Sequence, residues 1–167
     1  MKRKENSMCE QKVTVYCGER TGKTIAAYGC AVQSASQGDS VIIIQFLKGR
    51  REGELEFLRR LEPEVKVFSF ARSEKNYTEL SKEEQQEEKM NLRNGFNFAR
   101  KVLVTRECSL LILDEFVSLL ENHMFSKEDL DSLLGARTED TRIIFTGRRM
   151  NKMLRGYVEK VYEITGN

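Results

Sequence analysis

The sequence predicts a three-layer α/β domain with a mainly parallel central sheet. Short apolar segments alternate with helical segments along nearly the whole chain, as in strands joined by crossover helices. The segment Val41–Leu47 is apolar at almost every position, which is typical of a strand buried on both faces of a parallel sheet. The β-branched segment Val13–Cys17 ends at a glycine and precedes a helix of small residues, in the order of a strand–turn–helix unit.

The remaining elements follow the same alternation. Ser81 begins one helix with a capping-box pattern, because Glu84 follows it by three residues. Ser126 is expected to be the N-cap of another helix, with Asp129 at its third position. The polar segment Ala71–Leu80 has no periodicity and predicts a loop. The predicted helices are Ile25–Val32, Glu54–Leu61, Ser81–Val104, Ser126–Leu134 and Met150–Tyr157, and the further strands are Val65–Phe70, Ser109–Leu113, Thr141–Thr146 and Lys160–Ile164.

Length and charge limit the class of protein. A chain of 167 residues fits one domain, and we expect a flexible N-terminal segment over 1–11 and a single domain over 12–167. The 28 basic and 26 acidic residues give a net charge of only +2, which argues against a nucleic-acid partner. No apolar run approaches the roughly 20 residues that span a bilayer, and no signal-peptide core follows the basic start. We therefore expect a cytoplasmic protein with no membrane partner.

The cysteines and the single histidine offer little for metal or triad chemistry. Cys9, Cys17, Cys30 and Cys108 have no metal-ligand spacing, and we expect buried free thiols in a reducing compartment. His123 lies between two predicted helical stretches, which indicates a surface loop residue.

The glycine-bearing turn after the first strand has the composition of a phosphate-binding loop. It consists of Gly18, Glu19, Arg20, Thr21, Gly22, Lys23 and Thr24. Backbone amides at such a turn and at the following helix start bind anions. Lys23 is expected to reach phosphate oxygens, and the Thr24 hydroxyl to ligate Mg²⁺. The loop therefore predicts ATP with Mg²⁺ as its ligand and a P-loop NTPase-like (RecA-like) domain, although it has one residue fewer than the usual motif.

Polar residues follow three other strands at the predicted carboxyl edge, where ligands bind in open α/β sheets. Asp114 and Glu115 end the apolar segment Leu110–Leu113, and one of these acids is expected to hold Mg²⁺ directly or through water. Lys48 and Arg148 follow the second and fifth strands, where each could neutralise triphosphate charge.

These four segments, in this order, resemble the ATP:corrinoid adenosyltransferases of the P-loop type. The most specific part is Val15–Gly29, where the same shortened loop is followed by Ala-Ala-aromatic-Gly. Gln45–Gly49 resembles the second signature of that family, Leu113–Glu115 its acidic signature and Ile144–Arg148 its last. The resemblance runs from about Val13 to Ile164.

The resemblance implies a reaction and its substrates. Reduced corrinoid cobalt, Co(I), attacks C5′ of ATP, forms a cobalt–carbon bond and expels tripolyphosphate. Lys23, Lys48 and Arg148 would stabilise the leaving group, and no side chain is needed as acid or base. Aromatic residues after the third strand would contact the corrinoid, which points to Tyr77 and to Phe70, although Phe70 is also explained as a core strand residue. A homodimer and a reductase partner are further expectations.

A second interpretation uses the same phosphate-side residues. A diverged P-loop ATPase or ATP-binding regulator would keep the nucleotide site without corrinoid chemistry. The loop between Phe70 and Leu80 is the sequence feature that separates the two interpretations.

Overall fold

A computed structural model of the chain describes residue 9 and residues 11–47 and 52–166. Its core is a six-stranded sheet of order β3-β2-β4-β5-β1-β6, in which every pair of neighbouring strands is parallel. The strands are β1 Val13–Cys17, β2 Val41–Gln45, β3 Val65–Ser69, β4 Leu110–Asp114, β5 Arg142–Gly147 and β6 Lys160–Glu163. The predicted parallel sheet is confirmed.

Helices cover both faces of this sheet, which confirms the three-layer arrangement. The helices are α1 Gly22–Ser36, α2 Glu52–Arg59, α3 Lys82–Thr105, α4 Phe116–Glu121 and α5 Lys127–Gly135. One apolar cluster joins α1 and α2 to residues such as Ile43 and Ile112. A larger cluster joins α3, α4 and α5 to alternate residues of the same strands, such as Ile44 and Leu113. Central strands are therefore apolar at successive positions because both of their faces are buried.

The predicted helix starts are confirmed in detail, but one predicted helix is wrong. Ser81 accepts a hydrogen bond from the Glu84 amide, and Ser126 accepts one from the Asp129 amide, as a capping box requires. In place of a helix over Met150–Tyr157 there is a single 3-10 turn, Lys152–Leu154. The fully buried Leu154 side chain inserts into the larger apolar cluster, so packing of one side chain replaces a continuous helix.

The cysteine prediction is half wrong. Cys17 and Cys108 are buried free thiols as expected, and burial raises the pKa of Cys108 to about 12. Cys9 and Cys30, however, form a disulfide across 21 residues of sequence, with Cα atoms 5.5 Å apart. The Cys9 carbonyl also accepts a hydrogen bond from Arg142 Nη1 at 2.6 Å, so this part of the predicted flexible segment is tied to α1 and to the start of β5.

The strand order places two sets of polar residues at one edge. β5 lies between β1, which leads into the glycine loop, and β4, which ends in Asp114. Two strand spacings amount to about 10 Å, so the loop and the acidic residues face the same space at the carboxyl edge. No helix in the described part of the chain combines the length and apolar character that crossing a bilayer requires.

We expect Gly147→Ala to destabilise the domain, because a Cβ there would lie 2.5 Å from Val117 Cβ and 3.1 Å from the Ser118 nitrogen. The cost of such overpacking is about 1–3 kcal/mol. Gly29→Ala is the matched control: it lies in α1 with no atom within 4 Å of the added Cβ, and alanine there should stabilise the helix by roughly 0.5–1 kcal/mol. Urea unfolding measures both changes, and equal stability of Gly147→Ala and wild type would contradict the close contact.

We expect reduction of the Cys9–Cys30 disulfide to lower the free energy of unfolding by about 3 kcal/mol, the chain-entropy effect for a loop of this length. Urea unfolding with and without dithiothreitol measures the difference. Cys9→Ser is the control, because its stability should no longer respond to reductant. Thiol titration of the unfolded, unreduced wild type should find only Cys17 and Cys108; reaction of all cysteines would contradict the pairing.

Candidate functional site

The glycine loop is held between the ends of β5 and β6. The Gly18 amide donates to the Gly147 carbonyl at 3.2 Å, and the Ile164 amide donates to the Cys17 carbonyl at 2.8 Å. A Cβ on Gly18 would lie 2.4 Å from the Ile164 carbonyl oxygen. Only glycine fits this position, so the loop follows one fixed path into α1.

The start of α1 presents amides towards the loop. The amides of Thr24 and Ile25 both donate to the Thr21 carbonyl at 3.1 Å. The first amides of any helix lack intrahelical acceptors, and here these belong to Gly22 and Lys23. The arrangement places backbone N–H groups and the positive end of the helix dipole together, as a phosphate-binding site requires.

Lys23 joins the loop to the acidic strand end. It is only 5% exposed, and its Nζ lies 2.8 Å from Glu115 Oε1 while donating to the Arg20 carbonyl at 3.0 Å. A buried ammonium needs such partners because desolvation of an isolated charge is costly. The charge is thereby held beneath the loop rather than free in solvent.

Asp114 is the most highly connected side chain of the site. Its Oδ1 accepts from the hydroxyls of Thr24 at 3.1 Å and Thr146 at 2.7 Å, and its Oδ2 accepts from the Tyr28 hydroxyl at 3.1 Å. Burial raises the pKa of the Asp114 carboxyl, as does the neighbouring negative charge of Glu115, whereas the three hydroxyl donors lower it. The net shift is upward because desolvation of the carboxylate is the largest of these effects.

Glu115 has an unusual backbone conformation, with φ of 61° in the left-handed region. Its amide donates to the Thr146 hydroxyl at 2.8 Å, and its Oε2 accepts from Ser118 Oγ at 2.9 Å. Left-handed conformations at residues other than glycine cost about 1–3 kcal/mol and cluster at functional sites. This turn directs the Glu115 carboxylate to Lys23 while Asp114 turns to Thr24.

Three further residues take part in the hydrogen bonds around Asp114, and the sequence analysis did not include them among the site residues. Tyr28 and Thr146 contact Asp114 directly, and Gln45 Nε2 donates to the Tyr28 hydroxyl at 2.9 Å. All three are buried. Gln45 and Thr146 carried a sequence signal, since each is a polar residue at the end of an apolar strand.

Arg148 and Arg149, which follow β5, are less constrained than Lys23. Arg148 is exposed, and its amide contacts Ser118 Oγ at 3.4 Å. Glu19 pairs with Arg149 at 3.4 Å, but both side chains are at least 70% exposed, so this pair contributes little stability. Lys48 lies outside the described residues.

Phe70 lies at the carboxyl end of β3, and Tyr77 lies in the loop that follows it. Phe70 directly follows β3, is half-buried and packs on Phe98 with ring centroids 5.6 Å apart. Tyr77, also half-buried, begins a 3-10 turn in the loop before α3. β3 lies four strand spacings from β1, about 19 Å, so the glycine loop and Phe70 lie at separate ends of one edge.

The oxygen donors near the loop fit Mg²⁺. This ion prefers carboxylate, hydroxyl, phosphate and water oxygens and takes few protein ligands. Thr24 Oγ1 and Asp114 Oδ1 lie 3.1 Å apart, which places one hydroxyl and one carboxylate together. Among the described residues there is no group of three or more His, Cys, Asp and Glu side chains that could hold a metal by itself, so phosphate and water would complete such a site.

Comparison with known proteins matches this chain over nearly its whole length. The family model for "ATP:corrinoid adenosyltransferase BtuR/CobO/CobP" matches residues 10–166. The corrinoid adenosyltransferase of Escherichia coli K12 is 24% identical over 155 residues, which cover 91% of this chain and 75% of that protein. Corrinoid adenosyltransferase CobA of Salmonella typhimurium is 25% identical over 153 residues, with coverage of 91% and 75%. The corrinoid adenosyltransferase of Pseudomonas aeruginosa is 25% identical over 135 residues, with coverage of 80% and 64%.

Proposed function

The chain belongs to the ATP:corrinoid adenosyltransferase family, and from this premise we propose that it transfers the 5′-deoxyadenosyl group of ATP to Co(I) of a corrinoid with release of tripolyphosphate. The observation that carries the proposal at the level of residues is the contact between the glycine loop and the acidic strand end. Thr24 contacts Asp114 and Lys23 contacts Glu115, which supports a triphosphate site formed by the two segments together.

This reaction requires the protein to position and stabilise the leaving group, and it requires no side chain that acts as an acid or base. Co(I) is itself the nucleophile, and the cobalt–carbon bond forms as the bond from C5′ to the triphosphate oxygen breaks. The protein must hold C5′ in line with cobalt and stabilise charge on the departing triphosphate. The amides at the start of α1, with Lys23, Lys48 and Arg148, would serve the second task.

The two adjacent acids would have different partners: Asp114 would bind a metal ion, and Glu115 would bind Lys23. Thr24 and Asp114 would hold Mg²⁺, which supplies positive charge to the triphosphate oxygens. Glu115 keeps Lys23 beneath the loop, at 2.8 Å, where the ammonium can exchange this carboxylate for phosphate oxygens. Tyr28 and Thr146 orient Asp114 for the ion through their hydroxyl groups.

The aromatic end would hold the corrinoid. Phe70 and Tyr77 are half-buried, so each can both pack on the domain and contact a flat macrocycle. ATP extended along the edge from the glycine loop towards β3 would present C5′ between the two ends. We further propose a cytoplasmic homodimer that receives electrons for Co(I) from a reductase.

We expect the wild type to convert ATP and chemically reduced cobalamin to adenosylcobalamin and tripolyphosphate, monitored by the corrinoid absorbance spectrum and by phosphate analysis. Lys23→Ala should weaken ATP binding by about 100-fold or more, because a buried charge-assisted contact is lost. Lys101→Ala, an exposed lysine of α3, is the matched control. Release of orthophosphate without a spectral change would instead identify a diverged ATPase.

We expect Tyr77→Ala to raise the KM for the corrinoid by about tenfold while the KM for ATP changes less than twofold. The physical reason is the loss of one aromatic contact at the end of the site away from the triphosphate. Tyr157→Ala, at a half-buried tyrosine beyond β5, controls for general destabilisation. Equal increases in both KM values would remove Tyr77 from the corrinoid site.

A further inference from the structure

The loop between β3 and α3 is fastened to α3 by a buried carboxylate. Glu88 is 8% exposed, and its two carboxylate oxygens accept from the Arg72 amide at 3.2 and 3.3 Å. A buried carboxylate requires hydrogen-bond donors, because its desolvation is otherwise uncompensated. The Arg72 main chain therefore has a strong acceptor that holds it near the end of β3.

A second side chain of α3 fastens the other half of the same loop. Gln85 Nε2 donates to the Tyr77 carbonyl at 3.1 Å and to the Leu80 carbonyl at 3.2 Å. Tyr77 is the first residue of the 3-10 turn Tyr77–Glu79, and Leu80 directly follows this turn. The Asn76 amide also donates to Glu79 Oε2 at 3.2 Å. One amide group thus spans the turn that carries Tyr77.

The fastening residues lie on one face of α3 because they are three residues apart, close to one helical turn. The same helix meets Phe70 further along, where a Cβ on Gly95 would lie 3.0 Å from Phe70 Cγ. One helix, α3, therefore contacts four residues of this segment, namely Phe70, Arg72, Tyr77 and Leu80. The contacts with the last three of these residues are made by their main-chain groups.

We infer that Gln85 and Glu88 are positioning residues for the corrinoid, which hold the loop 71–80 so that Tyr77 meets the substrate in a preformed arrangement. The inference rests on the proposed function, since it assigns a purpose to the aromatic end of that site. A loop that is already ordered loses less conformational entropy when a ligand binds. The fastening should therefore act on the corrinoid and leave the triphosphate end unchanged.

The sequence supplies matched controls beside each positioning residue. Gln86 and Glu87 are exposed neighbours of the same residue types on the same helix. Gln85→Ala is compared with Gln86→Ala, and Glu88→Ala with Glu87→Ala, so helix propensity and charge change equally within each pair. Glu88→Gln keeps one acceptor oxygen for the Arg72 amide and tests for partial rescue.

The experiment measures KM for ATP and for reduced cobalamin, the equilibrium binding of hydroxocobalamin by dialysis, and native-state trypsin cleavage after Arg72 and Lys75, both exposed. We expect Gln85→Ala and Glu88→Ala to raise the corrinoid KM and Kd by about tenfold, the scale of one lost hydrogen bond to a fixed partner. The KM for ATP should change less than twofold, loop cleavage should accelerate, and Glu88→Gln should lie between Glu88→Ala and wild type. Gln86→Ala and Glu87→Ala should match wild type in every measurement.

Each other result has a defined meaning. Faster loop cleavage with unchanged corrinoid KM and Kd would show that the two residues hold the loop but do not affect corrinoid binding, which overturns the positioning role. Equal increases in the KM for ATP and the KM for the corrinoid would indicate general destabilisation and would also overturn the positioning role. A wild type that binds hydroxocobalamin without forming adenosylcobalamin contradicts the proposed function alone, because the Kd comparison between paired variants still decides the inference. A wild type that binds no corrinoid overturns both.

Discussion

A carboxylate buried at the carboxyl edge of the sheet is the constraint on which the site depends. Asp114 is 5% exposed, so its charge must be matched by donors brought from elsewhere in the fold. Those donors are hydroxyls from α1 and from β5. Because all of these hydroxyls contact the same carboxylate, the contacts fix the position of α1 relative to strands β4 and β5. The glycine loop, which connects β1 to α1, is then located relative to the acidic residues.

Aromatic packing stabilises the turn that follows Asp114. Phe116 is fully buried and contacts Phe46, Phe125 and Phe145 with ring centroids 5.2, 5.2 and 5.5 Å apart. Burial of a side chain of this size contributes about 1.5–3 kcal/mol. That contribution is comparable to the cost of the left-handed conformation at Glu115. The core therefore stabilises a backbone conformation that holds two adjacent carboxylates on different partners.

Sequence reasoning succeeded where the signal is local. Strands buried on both faces are continuous apolar runs, and capping boxes are short patterns of hydrogen-bonding residues. The glycine loop is likewise a short pattern between a strand and a helix, so each of these elements was predicted. The missed residues depend on contacts that cross the fold. Gln45 lies opposite Asp114 in the β2–β4 register, and it reaches Tyr28 only because α1 crosses above both strands. The Cys9–Cys30 disulfide likewise depends on the path of the chain before β1, which no local pattern encodes.

The two ends of the carboxyl edge are built from different kinds of contact. The end beside the glycine loop consists of side chains from several elements that bind one another, so a substitution at Asp114 or Thr146 removes a hydrogen bond from a buried partner. The loop end is fastened through main-chain groups of Arg72, Tyr77 and Leu80, which every residue type except proline at 72 provides. Exposed side chains of this loop that make no main-chain contact can therefore change while its path is retained. The anchors of the loop are thus independent of the side-chain network around Asp114, because the two sets of contacts share no residue.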